Sequence, residues 1–174
     1  MKIAKVLLVV IVLALTGCEY GDVYGSAERS DVILGLKEKP SEIYSFRVGD
    51  RDFTGYFVSD FPATSGSYFA KLPSSFFDHP KLLSYERKKT LIKWQRTPVA
   101  HAHEFLLKRA ISVMKSKGIP KVQIAEFKAR SEASDGYYAA TFEDMGGGRY
   151  DNINFFLLDP KDGRLYELAD TMSF

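Results

Sequence analysis

Three histidines are the side chains in this sequence best suited to metal binding or proton transfer. His101 and His103 are two residues apart, and His79 lies in a predicted loop. On a strand, the two-residue spacing would place both imidazoles on one face, as some zinc sites require. The surrounding pattern predicts a helix instead, in which residues two apart point about 200° apart at ~100° per residue. We therefore predict no metal site.

Two serine clusters and a glycine run also carry groups that take part in catalysis or phosphate binding. A nucleophilic serine needs an adjacent base and an oxyanion hole, and no Gly-x-Ser-x-Gly elbow surrounds residues 65–67 or 74–75. The glycines at 146–148 have neither the Walker nor the dinucleotide-binding spacing. The sequence therefore predicts no catalytic residue and no cofactor, and we expect that the chain is not an enzyme.

The only cysteine, Cys18, follows an apolar N-terminal segment. Lys2 and Lys5 precede an unbroken run of Val, Leu, Ile and Ala over residues 6–15. A basic head, an apolar run of about 7–15 residues and small residues at the cut site are typical of a secretory signal. The run is shorter than the about 20 residues that span a bilayer. We predict that residues 1–17 are a signal peptide.

The residues at the predicted cut, Leu15, Thr16, Gly17 and Cys18, resemble the lipobox of bacterial lipoproteins at every position. The resemblance implies cleavage before Cys18, a diacylglycerol on its sulfur and an acyl chain on its new α-amino group. In the enterobacterial sorting rule, Asp after the cysteine retains lipoproteins in the inner membrane, so Glu19 favours the outer membrane, facing the periplasm. Each buried methylene contributes about 0.8 kcal/mol, so several chains anchor the protein stably.

The composition of the mature chain limits its partners. Of 24 basic residues, two lie in the predicted leader, which leaves 22 to balance the 22 acidic residues. A neutral domain gives no electrostatic reason to bind nucleic acid. A chain of this length can bury a core, and the aromatic share of 14% supplies one. We expect two kinds of partner. The first is a membrane, which the protein contacts through lipid on Cys18, and the second is an envelope or secreted protein.

The region before residue 97 predicts strands. Residues 18–31 lack apolar periodicity and predict a lipidated tether, which would leave residues 32–174 as a single α+β domain. Tyr44, Phe46 and Val48 alternate with polar residues. With a turn after them, residues 43–58 predict an N-terminal β-hairpin. Residues 68–72 and 90–95 predict two more strands, the second of which carries Trp94.

A helix is the clearest element that the sequence predicts. Thr97 is a capping residue and Pro98 suits the first helical position. Gly118 predicts the C-terminal cap, and Pro120 blocks continuation. Apolar residues at three- and four-residue spacing would form its buried face: Val99, Ala102, Leu106, Ala110, Val113 and Met114.

Four strands are predicted after the helix, over residues 121–130, 137–143, 152–158 and 165–168, with a loop at 145–148 and a turn at 159–163. A helix across one face of an antiparallel sheet buries both apolar surfaces, so residues 97–170 predict one helix on a β-meander and the α+β class. This order, with the closing residues 158–166, resembles PepSY and cystatin-like domains. That resemblance implies a domain that binds or inhibits, often acting on peptidases.

The predicted contact surface comprises Tyr137, Tyr138, Arg149 and Tyr150, because Tyr and Arg are enriched at interface hot spots. We therefore interpret the chain as a non-enzymatic, lipid-anchored envelope protein that acts as a protein-binding or inhibitory module. One alternative is an immunity protein against a secreted effector toxin. Another is an envelope hydrolase, in which the three histidines would carry the chemistry.

Overall fold

A six-stranded antiparallel sheet lies at the centre of the molecule, as seen in a computed structural model that describes residues 27–49, 53–82 and 88–171. Helices cover both faces of this sheet, so the predicted α+β class is confirmed. The predicted signal peptide, Cys18 and residues 19–26 of the predicted tether lie outside the described ranges. Among the helices that are described, none has the length and apolarity needed to cross a membrane.

The strands pair in the order β1-β2-β6-β5-β4-β3. The predicted hairpin is confirmed as β1 and β2, and it joins the same sheet because β2 pairs with β6. The predicted strand at 90–95 is β3, which pairs with β4 at the far edge. The strand bounds are β1 Ser41–Val48, β2 Phe53–Asp60, β3 Thr90–Arg96, β4 Tyr137–Asp144, β5 Tyr150–Asp159 and β6 Arg164–Thr171.

Four α-helices and three short 3₁₀ turns connect the strands within the described residues. The α-helices are α1 Ala27–Leu34, α2 Gly66–Ala70, α3 Glu104–Ser116 and α4 Lys121–Glu132, and the 3₁₀ turns are Ala63–Ser65, Ser74–Asp78 and His101–His103.

The inner face of the sheet is the one that α3 and α4 cover. Alternate residues of β5, such as Phe155, point to this face, as the period of two requires. Leu106 and Ala110 of α3 and Phe127 of α4 pack against them, and all four side chains are fully buried. The two helices and the sheet therefore share one continuous core.

The outer face is the opposite side of the sheet, and α1 and α2 cover it. Here Ile33 and Leu34 of α1 pack with Phe76, Trp94 and Phe156. The indole N–H of Trp94 donates a hydrogen bond of 2.7 Å to the carbonyl of Ile33, and its ring stacks on Phe76 at 5.2 Å. Because both faces are covered, β5 is buried along almost its whole length.

Irregular pairing interrupts both edge strands. The register of β1 against β2 shifts between Glu42 and Tyr44, and that of β3 against β4 shifts between Ile92 and Gln95. Such bulges twist an edge away from the flat geometry that another strand needs for pairing. Both free edges are therefore poor templates for sheet extension.

The strand predicted at 121–130 is wrong, because these residues form α4. Val122 and Ile124 suggested alternation, but Val122 is 68% exposed. The residues that reach the core are Ile124, Phe127 and Ser131, at the three- and four-residue spacing of a helix. Pro120, predicted to block continuation of the preceding helix, lies between α3 and the first residue of α4. The meander after α3 therefore has three strands, not four.

The strand predicted at 68–72 is also wrong, because α2 occupies residues 66–70. Tyr68 and Phe69 both pack against the outer-face core. Neighbouring residues point about 100° apart on a helix but to opposite faces on a strand, so only a helix lets both reach it.

The tether prediction is wrong for residues 27–31, which belong to α1. The signal in this segment is a short helical repeat, in which Ser30, Ile33 and Leu34 are buried at three- and four-residue spacing.

The predicted helix start at Thr97 and Pro98 is wrong, whereas the predicted end is confirmed. The Thr97 hydroxyl accepts a hydrogen bond of 3.0 Å from the N–H of Gly136 and does not cap a helix. A 3₁₀ turn begins at His101, and α3 follows from Glu104. At the other end Gly118 has φ +80°, a conformation that glycine tolerates best. Of the predicted buried face, Ala102 is exposed and Val99 half-buried, and the others are buried.

Candidate functional site

The three histidines lie in three different environments. His79 is buried, and its Nδ1 lies 3.0 Å from the carbonyl of Val32, so it fastens α1 to the loop after the second 3₁₀ turn. His101 is exposed beside Glu104, and hydrogen bonds from His101 and Lys108 lower the pKa of that carboxyl. The described part of the chain contains no group of three His, Cys, Asp or Glu side chains arranged to hold a metal ion.

His103 takes part in a hydrogen-bond network inside the protein. Its Nδ1 lies 2.9 Å from the hydroxyl of Tyr138, which also accepts from the N–H of Ala100 at 3.2 Å and donates to Gln95 at 2.8 Å. Tyr138 is fully buried on the inner face. It is therefore a core residue, and its prediction as a contact residue is wrong.

The other predicted contact residues lie at opposite ends of β4 and β5. Tyr137 pairs with Leu158 and packs against Phe76, whereas Tyr150 pairs with Asp144 at the far end of the same ladder. The predicted four-residue surface is therefore not one surface. Only Arg149 and Tyr150 lie together.

Arg149 and Tyr150 line an open cavity of about 510 Å³, which we call the hairpin cleft. The ring of Tyr150 lies 4.4 Å from that of Phe105 on α3, measured between ring centroids. Asp151 is buried, and one of its carboxylate oxygens lies 3.1 Å from Arg149. Phe105, Arg109 and Gly148 complete the wall of the cleft.

A glycine-rich hairpin borders the cleft, between β4 and β5. The N–H of Met145 donates to the carbonyl of Arg149 at 2.9 Å, which closes the turn. The glycines at 146, 147 and 148 have φ values of +79°, +62° and +78°, in the left-handed region that side chains with a Cβ disfavour. This backbone holds Met145 48% exposed and the Arg149 side chain 67% exposed.

A second cavity, of about 270 Å³, lies beside the cleft and is called here the Asp170 cavity. Asp170 of β6 is buried, and the hydroxyl of Thr54 on β2 donates a hydrogen bond of 2.6 Å to it. Val113, Ser116 and Lys117 of α3 form the opposite wall, with Thr171 beside Asp170. A carboxylate thus faces a small space between the sheet and α3.

Arg109 of α3 lines both cavities. Its Nε is buried without a hydrogen-bond partner, and no described carboxylate lies within ion-pair distance of its guanidinium. Asp170 also takes part in no ion pair with any residue that the structure describes. The site therefore combines an arginine and a carboxylate that each lack an ionic partner among the described residues.

The sequence contained a signal for part of this site. Tyr166, Leu168 and Asp170 share one face of β6 at a period of two, so Asp170 occupies a position where the pattern requires an apolar residue. Arg109 precedes the buried Ala110 on α3, and no comparable break in the apolar pattern of the helix marks it. Its position could be recognised only from the fold.

Comparison of this chain with family models, with curated proteins and with solved structures found no match.

Proposed function

We propose that this chain is a lipid-anchored envelope lipoprotein whose folded domain is a non-enzymatic protein-binding or inhibitory module. The lipobox-like residues 15–18 support the anchor, and Glu19 supports an outer-membrane position facing the periplasm. The observation that carries the binding role is the glycine-rich hairpin, which presents Met145 and Arg149 beside the aromatic wall of the hairpin cleft. Met, Tyr, Phe and Arg are the residues enriched at protein interfaces.

The anchor is tested on the native protein and a Cys18→Ala variant of the full chain. Mass spectrometry of the native protein should find an acylated Cys18 at the new N-terminus, and the variant should lose the acyl chains and stable membrane attachment. An intact Met1, or an unacylated sulfur on a chain released from the membrane, contradicts the lipoprotein proposal.

The binding role is tested by cross-linking and pull-down with the membrane-anchored full chain. Met145→Asp places a charge at the centre of the proposed contact, and we expect recovery of the partner to fall about tenfold or more, equivalent to about 1.4 kcal/mol or more. Val122→Asp is the matched control, because Val122 is also exposed and apolar but lies on α4. Equal recovery with both variants contradicts the assignment of this surface.

A further inference from the structure

Three charged side chains line the Asp170 cavity: Arg109, Asp170 and, at its solvent-exposed side, Lys117. Arg109 and Asp170 both line it, on facing elements, yet neither takes part in an ion pair within the described part of the chain. A buried charge without a partner is costly, and direct pairing would ordinarily offset that cost. The separation of these two groups therefore needs a physical reason.

Contacts within the fold hold each group in place. The 2.6 Å hydrogen bond from Thr54 holds the buried side chain of Asp170 on the sheet. Arg109 is held on α3, where its Nε is enclosed by protein atoms. A molecule that reaches both charges must therefore carry its own anionic and cationic groups, a short distance apart.

The size and lining of the cavity restrict that molecule further. Its volume of about 270 Å³ lies just below the ~300–1,000 Å³ of typical ligand pockets, which points to a ligand of few atoms. Val113 offers an apolar contact. The hydroxyls of Ser116 and Thr171 donate to the carbonyls of Val113 and Phe53, so toward a ligand they offer oxygen atoms as acceptors. Guanidinium groups bind carboxylates with two parallel hydrogen bonds, which suits Arg109 to the anionic end.

We propose that the Asp170 cavity binds a small zwitterion of the free α-amino acid class, with its carboxylate on Arg109 and its ammonium group on Asp170. This small-molecule site shares Arg109 with the hairpin cleft but includes neither Met145 nor Arg149, and it does not depend on the protein-binding role.

The test uses the purified full chain in detergent and isothermal titration calorimetry with alanine, serine and glycine. Two matched probes separate the charges: N-acetylalanine lacks the ammonium group, and alaninamide lacks the carboxylate. We expect at least one free amino acid to bind, and its own N-acetyl and amide derivatives (N-acetylalanine and alaninamide in the case of alanine) to bind about tenfold more weakly or worse. Absence of binding by all three amino acids, or equal binding of the blocked probes, overturns the proposal.

Variants then assign each charge. Arg109→Gln should weaken binding of the free amino acid about tenfold or more, and Asp170→Asn should do the same. Lys115→Gln is the control, because Lys115 is an exposed cation on the same helix that lines neither cavity. If a variant fails to fold by circular dichroism, the blocked probes on the parent protein still decide the outcome. Unchanged binding by a folded Arg109→Gln protein also overturns the proposal.

Failure of this test leaves the protein-binding proposal intact. The Met145→Asp variant changes the hairpin and not the Asp170 cavity, so it should bind the amino acid as the parent does. Loss of partner recovery with normal amino acid binding separates the two sites.

Discussion

Within the described ranges, one neutral donor accompanies the buried carboxylate of Asp170. The hydroxyl of Thr54 lies 2.6 Å from Oδ1 of Asp170, and the two residues are paired across β2 and β6. A buried polar group that loses its hydrogen-bond partner costs the free energy of its desolvation. The hydroxyl of Thr54 therefore stabilises the fold by donating this hydrogen bond. It occupies a position of β2 where the alternation of the strand would otherwise place an apolar side chain.

Replacement of Thr54 by Val should lower the free energy of unfolding by about 1–3 kcal/mol, because the isosteric side chain leaves Asp170 without this donor. Urea denaturation measures the change. Thr64→Val is the control: its hydroxyl contacts Glu38 at 3.3 Å on the exposed surface, and surface substitutions of this kind stay within about 0.5 kcal/mol. Equal stability of the Thr54→Val variant and the parent would contradict the role of this hydrogen bond.

The hydroxyl of Tyr68 should make the free energy of unfolding depend on pH. This hydroxyl donates to the carbonyl of Leu34, and burial raises the pKa of Tyr68 to about 12 from the ordinary 10.0. Because the folded pKa is raised, the stabilisation is complete below pH 10 and is lost as the pH rises towards 12. Below pH 10, Tyr68→Phe should be less stable than the parent by about 1 kcal/mol.

The gap between the Tyr68→Phe variant and the parent should close between pH 10 and 12, because only the parent loses stability through this tyrosine. Free energies of unfolding measured at several pH values test this, and the difference below pH 9 serves as the internal control. A gap that stays constant to pH 12 would rule out the proposed ionisation.

At the scale of elements, Arg130 links α4 to the turn between β5 and β6. It forms an ion pair with Asp159, which is buried, and lies 3.6 Å from Asp162 in the same turn. Asp159 also accepts a hydrogen bond of 3.0 Å from the N–H of Lys161, so the turn and the helix end share one carboxylate. The position of α4 against the sheet is therefore set by charge as well as by Phe127.

Replacement of Arg130 by Gln should lower the free energy of unfolding by about 2 kcal/mol, because a charge-assisted hydrogen bond to a buried acid is lost. Lys128→Gln provides the comparison, since the Lys128–Glu132 pair on the same helix is exposed and such pairs contribute only about 0.3–0.5 kcal/mol. Thermal denaturation distinguishes the two. A similar melting temperature for both variants would show that Arg130 does not fasten the helix.

The elements that the sequence predicts correctly are those whose pattern reflects local geometry. The hairpin of β1 and β2 follows from alternation around a turn, and the end of α3 follows from the cap at Gly118. The strand predicted at 121–130 fails because α4 is largely exposed, and only Ile124, Phe127 and Ser131 mark its buried face. The start of α3 was misread because Thr97 bonds to Gly136, a contact between residues far apart in the chain.

The candidate site was harder to predict than the fold. The predicted contact surface combines residues that are near one another in sequence or of the types common at interfaces. The length of the β4–β5 ladder separates Tyr137 and Tyr138 from Arg149 and Tyr150. Arg109 and Asp170 come together only through the packing of α3 on β6. Composition and spacing carry no information on such long-range contacts.

At the scale of the whole molecule, the interior strands β2, β6 and β5 are buried on both faces of the sheet, and β5 is the longest of them. Hydrogen bonds of β5 to β4 and β6 are covered by helices on both sides, whereas β1 is a mostly exposed edge. Amide exchange in well-packed regions requires global unfolding, and that in exposed regions requires only local opening.

Hydrogen exchange followed by NMR should therefore show the slowest amides in β5. The amides of β1 that bond to β2 should exchange about tenfold faster or more, and β6, which also lies inside the sheet, is the internal standard. Protection of β1 equal to that of β5 would contradict the local stability that this architecture implies.

Trp94 is the only tryptophan in the chain, and its side chain packs from β3 against α1. Its indole nitrogen is bonded to the backbone of α1. Its fluorescence is therefore an intrinsic, label-free reporter of one event: when α1 leaves the sheet, water reaches the indole and the emission shifts to longer wavelength.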